Sequence, residues 1–320
     1  MTNQLDALKR FTSVVADTGE FQKIAEFKPD DATTNPSLIL QAVQSAEYSY
    51  LLGEAIASSG NSSDPESLID DVCDNLAVSI GCKISELVPG LVSTEVDARL
   101  SFDTNASIDK AHKLIKLYES RGVSRDRILI KLASTWECIQ ACKSLEAEGI
   151  HCNMTLLFSF AQAVAAAEAG ATLISPFVGR ILDWHVKNGG GPYTGETDPG
   201  VISVSSIYRF YKANGFKTIV MGASFRNKDE ILALAGCDKL TIAPKFLKEL
   251  QSCTDPVFAK LSPADDRRES GSAKMTESQF RWAMNEDAMA TEKLAEGIRS
   301  FHADTEKLRK IIRAQLSKSV

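Results

Sequence analysis

Eight short β-rich segments alternate along this chain with longer helical ones, and that alternation narrows the possible folds more than any other feature. The strand segments cover residues 12–17, 31–34, 91–96, 128–132, 152–156, 172–175, 217–222 and 239–242. The stretches between them carry helical spacing. Over residues 107–121, Ile108, Ala111, Leu114, Ile115 and Tyr118 fall on one stripe. The segments 135–149 and 160–170 each close on a glycine, the residue that most readily caps a helix C-terminus. Strands that alternate with helices imply a parallel sheet under helices, and about eight such units predict an α/β fold closed into a (β/α)8 TIM barrel. A doubly wound open sheet is the competing architecture. The chain carries no GxGxxG after its first strand, which weighs against it.

Three segments exceed a minimal barrel. A short amphipathic helix from about Asn3 precedes the first strand. The gap 36–89 is long enough for two helices, and Asp64-Pro65 opens the second with an N-cap and a proline at N1. Residues 255–274, rich in Pro, Ser and charge, read as a surface connector. Thr276-Glu277-Ser278-Gln279 is a capping box opening a helical tail over about 276–318. Leu294, Ile298, Phe301, Leu308, Ile311 and Ile312 make that tail amphipathic, so it can dock on the barrel or on a second subunit, and we expect it to dock on its own chain. The expectation is one domain over residues 1–320, with the barrel core at about 12–250. A chain of 320 residues can bury a large core without staples.

Lys and Arg number 36 against 42 Asp and Glu, a net charge of −6, which speaks against nucleic acid or an anionic membrane as partner. No apolar run is long enough to span a bilayer, and no basic n-region with an apolar stretch opens the chain, so a cytoplasmic protein is expected. The seven cysteines are scattered and form no CxxC, as expected of reduced thiols. Cys138 and Cys142 stand four apart on a helix, a possible metal pair without a second pair nearby, and the four histidines form no HExxH. No metal site is read.

One residue breaks the pattern of the fourth strand. Residues 127–133, Arg-Ile-Leu-Ile-Lys-Leu-Ala, read as a strand buried on both faces, interrupted by Lys131 near its C-terminal end. Burying an unpaired ammonium costs several kcal/mol, so such a lysine tends to lose its proton. A neutral amine in an apolar pocket is a nucleophile toward carbonyls. The plainer reading is a lysine that reaches water or pairs with a carboxylate.

The other strands tip the balance. Barrel active sites lie at the C-terminal ends of the strands, where side chains alternate inward and outward. Asp17, Thr33, Asn35, Glu95, Asn153, Thr155 and Ser175 all fall at or near such ends, and the seventh strand leads into Gly222-Ala223-Ser224-Phe225-Arg226. Each has a local explanation as cap, turn or β-former. Polar ends around one lysine are harder to explain that way.

At this point a resemblance becomes plain. The segments 31–37 (Asp-Ala-Thr-Thr-Asn-Pro-Ser) and 128–137 (Ile-Leu-Ile-Lys-Leu-Ala-Ser-Thr-Trp-Glu) resemble the two signature motifs of the transaldolase family. Residues 175–180 (Ser-Pro-Phe-Val-Gly-Arg) and 222–226 match it too, and the resemblance to its longer subfamily runs over essentially the whole chain. The loop 188–193 aligns least well.

The resemblance implies transfer of a dihydroxyacetone unit from sedoheptulose 7-phosphate or fructose 6-phosphate to glyceraldehyde 3-phosphate or erythrose 4-phosphate. The setting would be the non-oxidative pentose phosphate pathway, in a homodimer without cofactor or metal. Lys131 would form the Schiff base and Asp17 would act as general base on the C4 hydroxyl. Glu95 and Thr155 would hold a water for proton transfer. Thr33, Asn35, Asn153, Ser175 and Phe177 would meet the dihydroxyacetone moiety. Arg180, Ser224 and Arg226, with the positive end of the helix after the seventh strand, would bind phosphate. The rival is a fructose-6-phosphate aldolase that releases free dihydroxyacetone. Relatives of that type carry Tyr where this chain has Phe177, and a phenol can position a hydrolytic water as Phe cannot. A barrel that only binds sugar phosphates would not need Lys131, Asp17 and Glu95 together, and a metal-dependent aldolase needs ligands at the mouth that the histidines do not offer.

Overall fold

A computed structural model describes residues 2–60, 63–263 and 274–318. Helix α1 (Gln4–Leu8) is capped by the Asn3 side chain and leads to β1 (Ser13–Asp17). Then come α2 (Phe21–Phe27), β2 (Asp31–Thr33), and three helices in the long gap, α3 (Pro36–Gln44), α4 (Tyr50–Ser58) and α5 (Pro65–Ser85). Two were expected there. The third arises because the turn around residues 45–49 divides the first stretch, whereas the Asp64 cap and Pro65 stand where anticipated. β3 (Val92–Glu95), α6 (Thr104–Ser120), β4 (Ile128–Ala133), α7 (Trp136–Ala147), β5 (Cys152–Leu157) and α8 (Phe160–Glu168) follow. β6 (Leu173–Pro176) is followed by two helices, α9 (Gly179–Lys187) and α10 (Pro199–Ala213). β7 (Ile219–Gly222), α11 (Lys228–Ala233), β8 (Lys239–Ile242) and α12 (Pro244–Gln251) complete the ring. The tail is two helices rather than one, α13 (Glu277–Glu286) and α14 (Ala288–Leu316), broken at Asp287, whose side chain caps α14 at the Ala290 N–H. Half of the connector expected over 255–274, residues 264–273, lies outside the described residues, and its described part holds neither helix nor strand.

The eight strands pair in sequence order, all parallel, and β1 closes on β8. The barrel explains why β4 looked apolar on both faces. Ile128, Ile130 and Leu132 point outward into the large core under the helices. Leu129 points inward and meets Val15, Leu173 and Met221 in a small apolar plug inside the barrel. Lys131 shares the parity of Leu129 and sits one pleat above that plug. Asp17 stands above Val15 and Ser175 above Leu173 by the same alternation. The apolar residues are consumed lower in the barrel, and the mouth receives the polar ones.

Helix α14 docks on its own chain, as expected, packing against α3, α5, α9 and β5. Its buried face is Ile298, Phe301, Thr305, Leu308, Arg309 and Ile312. Gly297 allows the close crossing of β5, since a Cβ there would lie 2.6 Å from Leu156 Cδ2. Leu156 itself is left-handed (φ 51°) at an irregularity between Met154 and Leu157 that bends the end of β5. Arg309, almost wholly buried, donates to Glu66 (2.6 Å) and Asp70 and fastens the helix to α5. No helix among the described residues is long and apolar enough to cross a membrane.

Candidate active site

Register assembles the site before any side chain is considered. Glu95 pairs with Lys131 and Lys131 with Asn153, so three adjacent strands set these residues in one row. Asp17 pairs with Thr33 on the opposite wall. A cavity of about 190 Å³ opens at this end of the barrel. Asp17, Thr33, Asn35, Lys131, Thr155, Ser175, Phe177, Arg180 and Ser224 all line it, nine of the twelve residues expected from sequence.

Lys131 is buried, at 5% exposure. Its Nζ donates to the Thr34 carbonyl at 3.2 Å and stands 3.0 Å from Glu95 Oε2. The lysine thus both faces the cavity and pairs with a carboxylate, the two readings that the sequence set against each other. Glu95 is nearly buried and lies beside the lysine rather than on the cavity wall. Burial pushes its pKa above the ordinary range, against the opposing pull of Lys131 and Arg180. Asp17 is raised for the same first cause, with Lys131, the Thr33 hydroxyl and Arg180 pulling down. Thr33 Oγ1 donates to Asp17 Oδ1 at 3.2 Å and touches Thr241 Oγ1 at 3.1 Å.

One buried oxygen near the lysine, Thr155 Oγ1, has no hydrogen-bond partner among the described residues, and Glu95 Oε2 meets only the Lys131 amine. Buried polar atoms are seldom left unpaired, and the Thr155 hydroxyl beside the Glu95 carboxylate suits a small hydroxylic group. Asn35 caps α3, its Oδ1 accepting the Leu38 N–H at 3.0 Å, which leaves its amide nitrogen for a ligand. Asn153 does not line the cavity. It donates to Ser93 Oγ (3.0 Å) and accepts from Ser175 Oγ (2.8 Å), and so braces a residue that does.

The cationic wall has two unlike members. Arg180, at the second position of α9, lines the cavity with its guanidinium 5.0 Å from the Phe177 ring centre and 5.8 Å from that of Phe301. It has no hydrogen bond or ion pair with any described residue, and burial, followed by the charge of Arg226, lowers its pKa. A guanidinium stacked between two rings and lacking a carboxylate is ready for an anion. Arg226 is not on the cavity wall; its guanidinium binds Asp183, with Nη2 2.7 Å from Oδ2. Ser224 holds a left-handed backbone (φ 61°), rare for a residue with a Cβ, and lines the cavity. The helix end after β7 is not open to a ligand, contrary to expectation. Asn227 caps α11 at the Glu230 N–H, and the Glu230 carboxylate accepts the Arg226 N–H at 2.7 Å.

Sequence reasoning missed Thr241, Ser37 and Phe301, all on the cavity wall. Thr241 was findable by parity on the eighth strand. Ser37 donates to Asp304 of α14 at 2.5 Å, and Phe301 comes from the same helix; the tail's apolar stripe was visible, its destination was not. Away from the mouth, Cys142 meets Cys152 and Glu146 rather than Cys138, with donor atoms within 4.8 Å of one another. The Glu146 carboxylate there already accepts from the Cys152 and Thr172 N–H groups and the Thr172 hydroxyl.

The described geometry is a buried amine between two acids, with a cationic anion site to one side. Residues 14–312 match the model of the transaldolase/fructose-6-phosphate aldolase family. Proteins named transaldolase from Shewanella amazonensis and Shewanella pealeana are each 59% identical to this chain over 318 residues, 99% of it and 100% of theirs. One from a Marinomonas species is 58% identical over 317 residues, again 99% and 100%.

Proposed function

The chain belongs to the transaldolase/fructose-6-phosphate aldolase family, and we propose that it transfers dihydroxyacetone from a ketose phosphate to an aldose phosphate through a Schiff base on Lys131. The observation that carries this reading is the buried Lys131 amine, 3.0 Å from Glu95 and lining one cavity with Asp17 and Arg180.

Lys131 Nζ adds to the C2 carbonyl of the ketose, which requires the neutral amine. Glu95, adjacent and raised in pKa by burial, is the group placed to take the amine proton. The carbinolamine then loses its hydroxyl as water, with Glu95 and the unpaired Thr155 hydroxyl handling that oxygen. Asp17 removes the C4 hydroxyl proton. The C3–C4 bond breaks, its electrons flow into the iminium, and the shorter aldose departs, leaving an enamine on the lysine. The enamine carbon attacks the carbonyl of a second aldose phosphate, Asp17 returns its proton, and hydrolysis of the new iminium frees the product ketose. An acid held above the ordinary carboxylate range suits both directions of that proton transfer.

Arg180, Ser224 and Arg226 bind phosphate in this reading, Thr33, Asn35, Ser175 and Phe177 contact the sugar, and Asn153 supports Ser175. Glycolytic and pentose sugar phosphates in the non-oxidative pentose phosphate pathway, a cytoplasmic setting and a homodimer follow from likeness to the longer subfamily. Sedimentation at working concentration tests the dimer.

Sodium borohydride added with fructose 6-phosphate should trap a stable adduct that maps to Lys131 and is lost in Lys131→Ala. An adduct elsewhere, or none, refutes the Schiff-base reading. The alternative, release of free dihydroxyacetone, is supported if fructose 6-phosphate alone yields it as fast as transfer proceeds with an acceptor aldose present.

A further inference from the structure

Arg180 and Arg226 differ in one respect that bears on phosphate binding: among the described residues, only Arg226 already holds a carboxylate. Its Nε lies 3.1 Å from each Asp183 oxygen and its Nη2 2.7 Å from Oδ2. Asp183 stands three residues after Arg180 on α9, so one turn carries a guanidinium open to the cavity and a carboxylate that occupies the neighbouring guanidinium. Gly179 makes this crossing possible, since a Cβ there would lie 2.5 Å from Arg226 Cγ. Arg226 Nη1 also reaches the Ser224 hydroxyl at 3.4 Å, and Ser224 lines the cavity. The arginine is therefore one side-chain rotation from the anion site. A guanidinium fork fits carboxylate and phosphate alike, so the two acceptors compete for the same donors.

Building on the phosphate role proposed above for Arg226, we propose that Asp183 is a resident counter-ion that Arg226 exchanges for the phosphate of the sugar, so that it moderates the affinity of the site for every phosphate-bearing ligand. A phosphate dianion carries more charge and more acceptor oxygens than the carboxylate and takes Arg226 from it. An unphosphorylated ketose offers no anion and leaves Arg226 on Asp183. The exchange also weakens binding of small anions, because each must displace Asp183 without the contacts a sugar adds. Asp183 thus keeps the site from filling with free inorganic phosphate.

The test compares Asp183→Asn with Arg226→Met in the full-length protein, with fructose 6-phosphate, unphosphorylated fructose and inorganic phosphate as probes. The Asp183–Arg226 pair is about 40% exposed, so neither substitution threatens the fold. In Asp183→Asn, the inhibition constant for inorganic phosphate and the KM for fructose 6-phosphate should each fall about two- to five-fold, the scale of an exposed ion pair. The preference in kcat/KM for fructose 6-phosphate over fructose should rise by the same factor. Unchanged or raised values overturn the proposal, because they mean that Asp183 props Arg226 rather than competing for it. Arg226→Met separates the two levels. If it raises both constants while Asp183→Asn moves neither, only the exchange fails. If it too changes nothing, Arg226 is no phosphate ligand, and the phosphate assignment falls with the exchange.

Discussion

Glu230→Gln should make the protein's stability less sensitive to alkali, and the size of the effect follows from what surrounds the carboxyl. Glu230 is fully buried in the first turn of α11, accepting the Arg226 N–H at 2.7 Å and the Asn227 side-chain amide at 3.2 Å. The buried Asp198 shares a hydrogen bond with it, the Arg226 charge lies nearby, and the His185 ring faces Asp198. Burial, helped by the Asp198 charge and opposed by the Arg226 N–H, lifts its pKa from 4.5 to about 7. The sign follows from proton counting. Below pH 4.5 both folded and unfolded chains hold the proton, and the group contributes no pH dependence. Between 4.5 and about 7 the unfolded chain releases it while the folded chain keeps it, so stability falls as pH rises. Above about 7 the loss is complete, at most about 3 kcal/mol for a shift of this size. Gln does not titrate and lacks that slope. Urea unfolding at pH 5 and pH 8 should therefore show the variant gaining about 1–3 kcal/mol on the parent between the two, or roughly 2 °C in Tm per kcal/mol. A constant difference at both pH values, or a variant that loses ground in alkali, refutes the argument. Because Glu230 holds the Arg226 backbone, KM for fructose 6-phosphate measured across the same range reports whether the shift reaches the site.

Three other outcomes are expected. Asp17→Ala should still trap an adduct at Lys131 with borohydride, while carbon–carbon cleavage measured in single turnover slows by about 10²–10⁴; cleavage at the parent rate removes Asp17 from its role. Phe301→Leu keeps an apolar side chain at the mouth but removes the ring 5.8 Å from the Arg180 guanidinium, so KM for the ketose phosphate should rise about two- to ten-fold with little change in kcat. Gly179→Ala would drive a Cβ to 2.5 Å from both Arg226 Cγ and the Ser224 carbonyl; KM should rise and thermal unfolding should show a loss of about 1–3 kcal/mol.

The barrel was legible because its two periodicities are local. Strand segments with outward apolar residues and helices with 3.6-residue stripes announce themselves within windows of ten or fifteen residues. Strand ends shifted by only a residue or two, as from 12–17 to Ser13–Asp17. What escaped were breaks made by small turns, namely the third helix before β3 and the division of the tail at Asp287. Part of the site was legible for a related reason: parity along a strand turns Asp17, Lys131, Thr155 and Ser175 inward, whereas Asn35, Phe177, Arg180 and Ser224 lie beyond strand ends and were expected from the resemblance to the family's motifs; nine of the twelve expected residues line the cavity. Asn153 has the right parity but sits low enough to be enclosed by Ser93 and Ser175.

The sequence by itself determined the order of elements, the inward parity that lifts Lys131, Asp17 and Ser175 above an apolar plug, and the motifs shared with the family. Tertiary structure alone decided that Phe301, about 170 residues along the chain from Lys131, would roof the same cavity. It also decided that Arg180 would stand without an ion pair among the described residues while Arg226 bound Asp183. The reason is physical. Facing direction along a strand is set by neighbours two residues apart, whereas an ion pair or a roofing ring depends on where separate helices come to rest, and that is fixed by packing across the whole molecule.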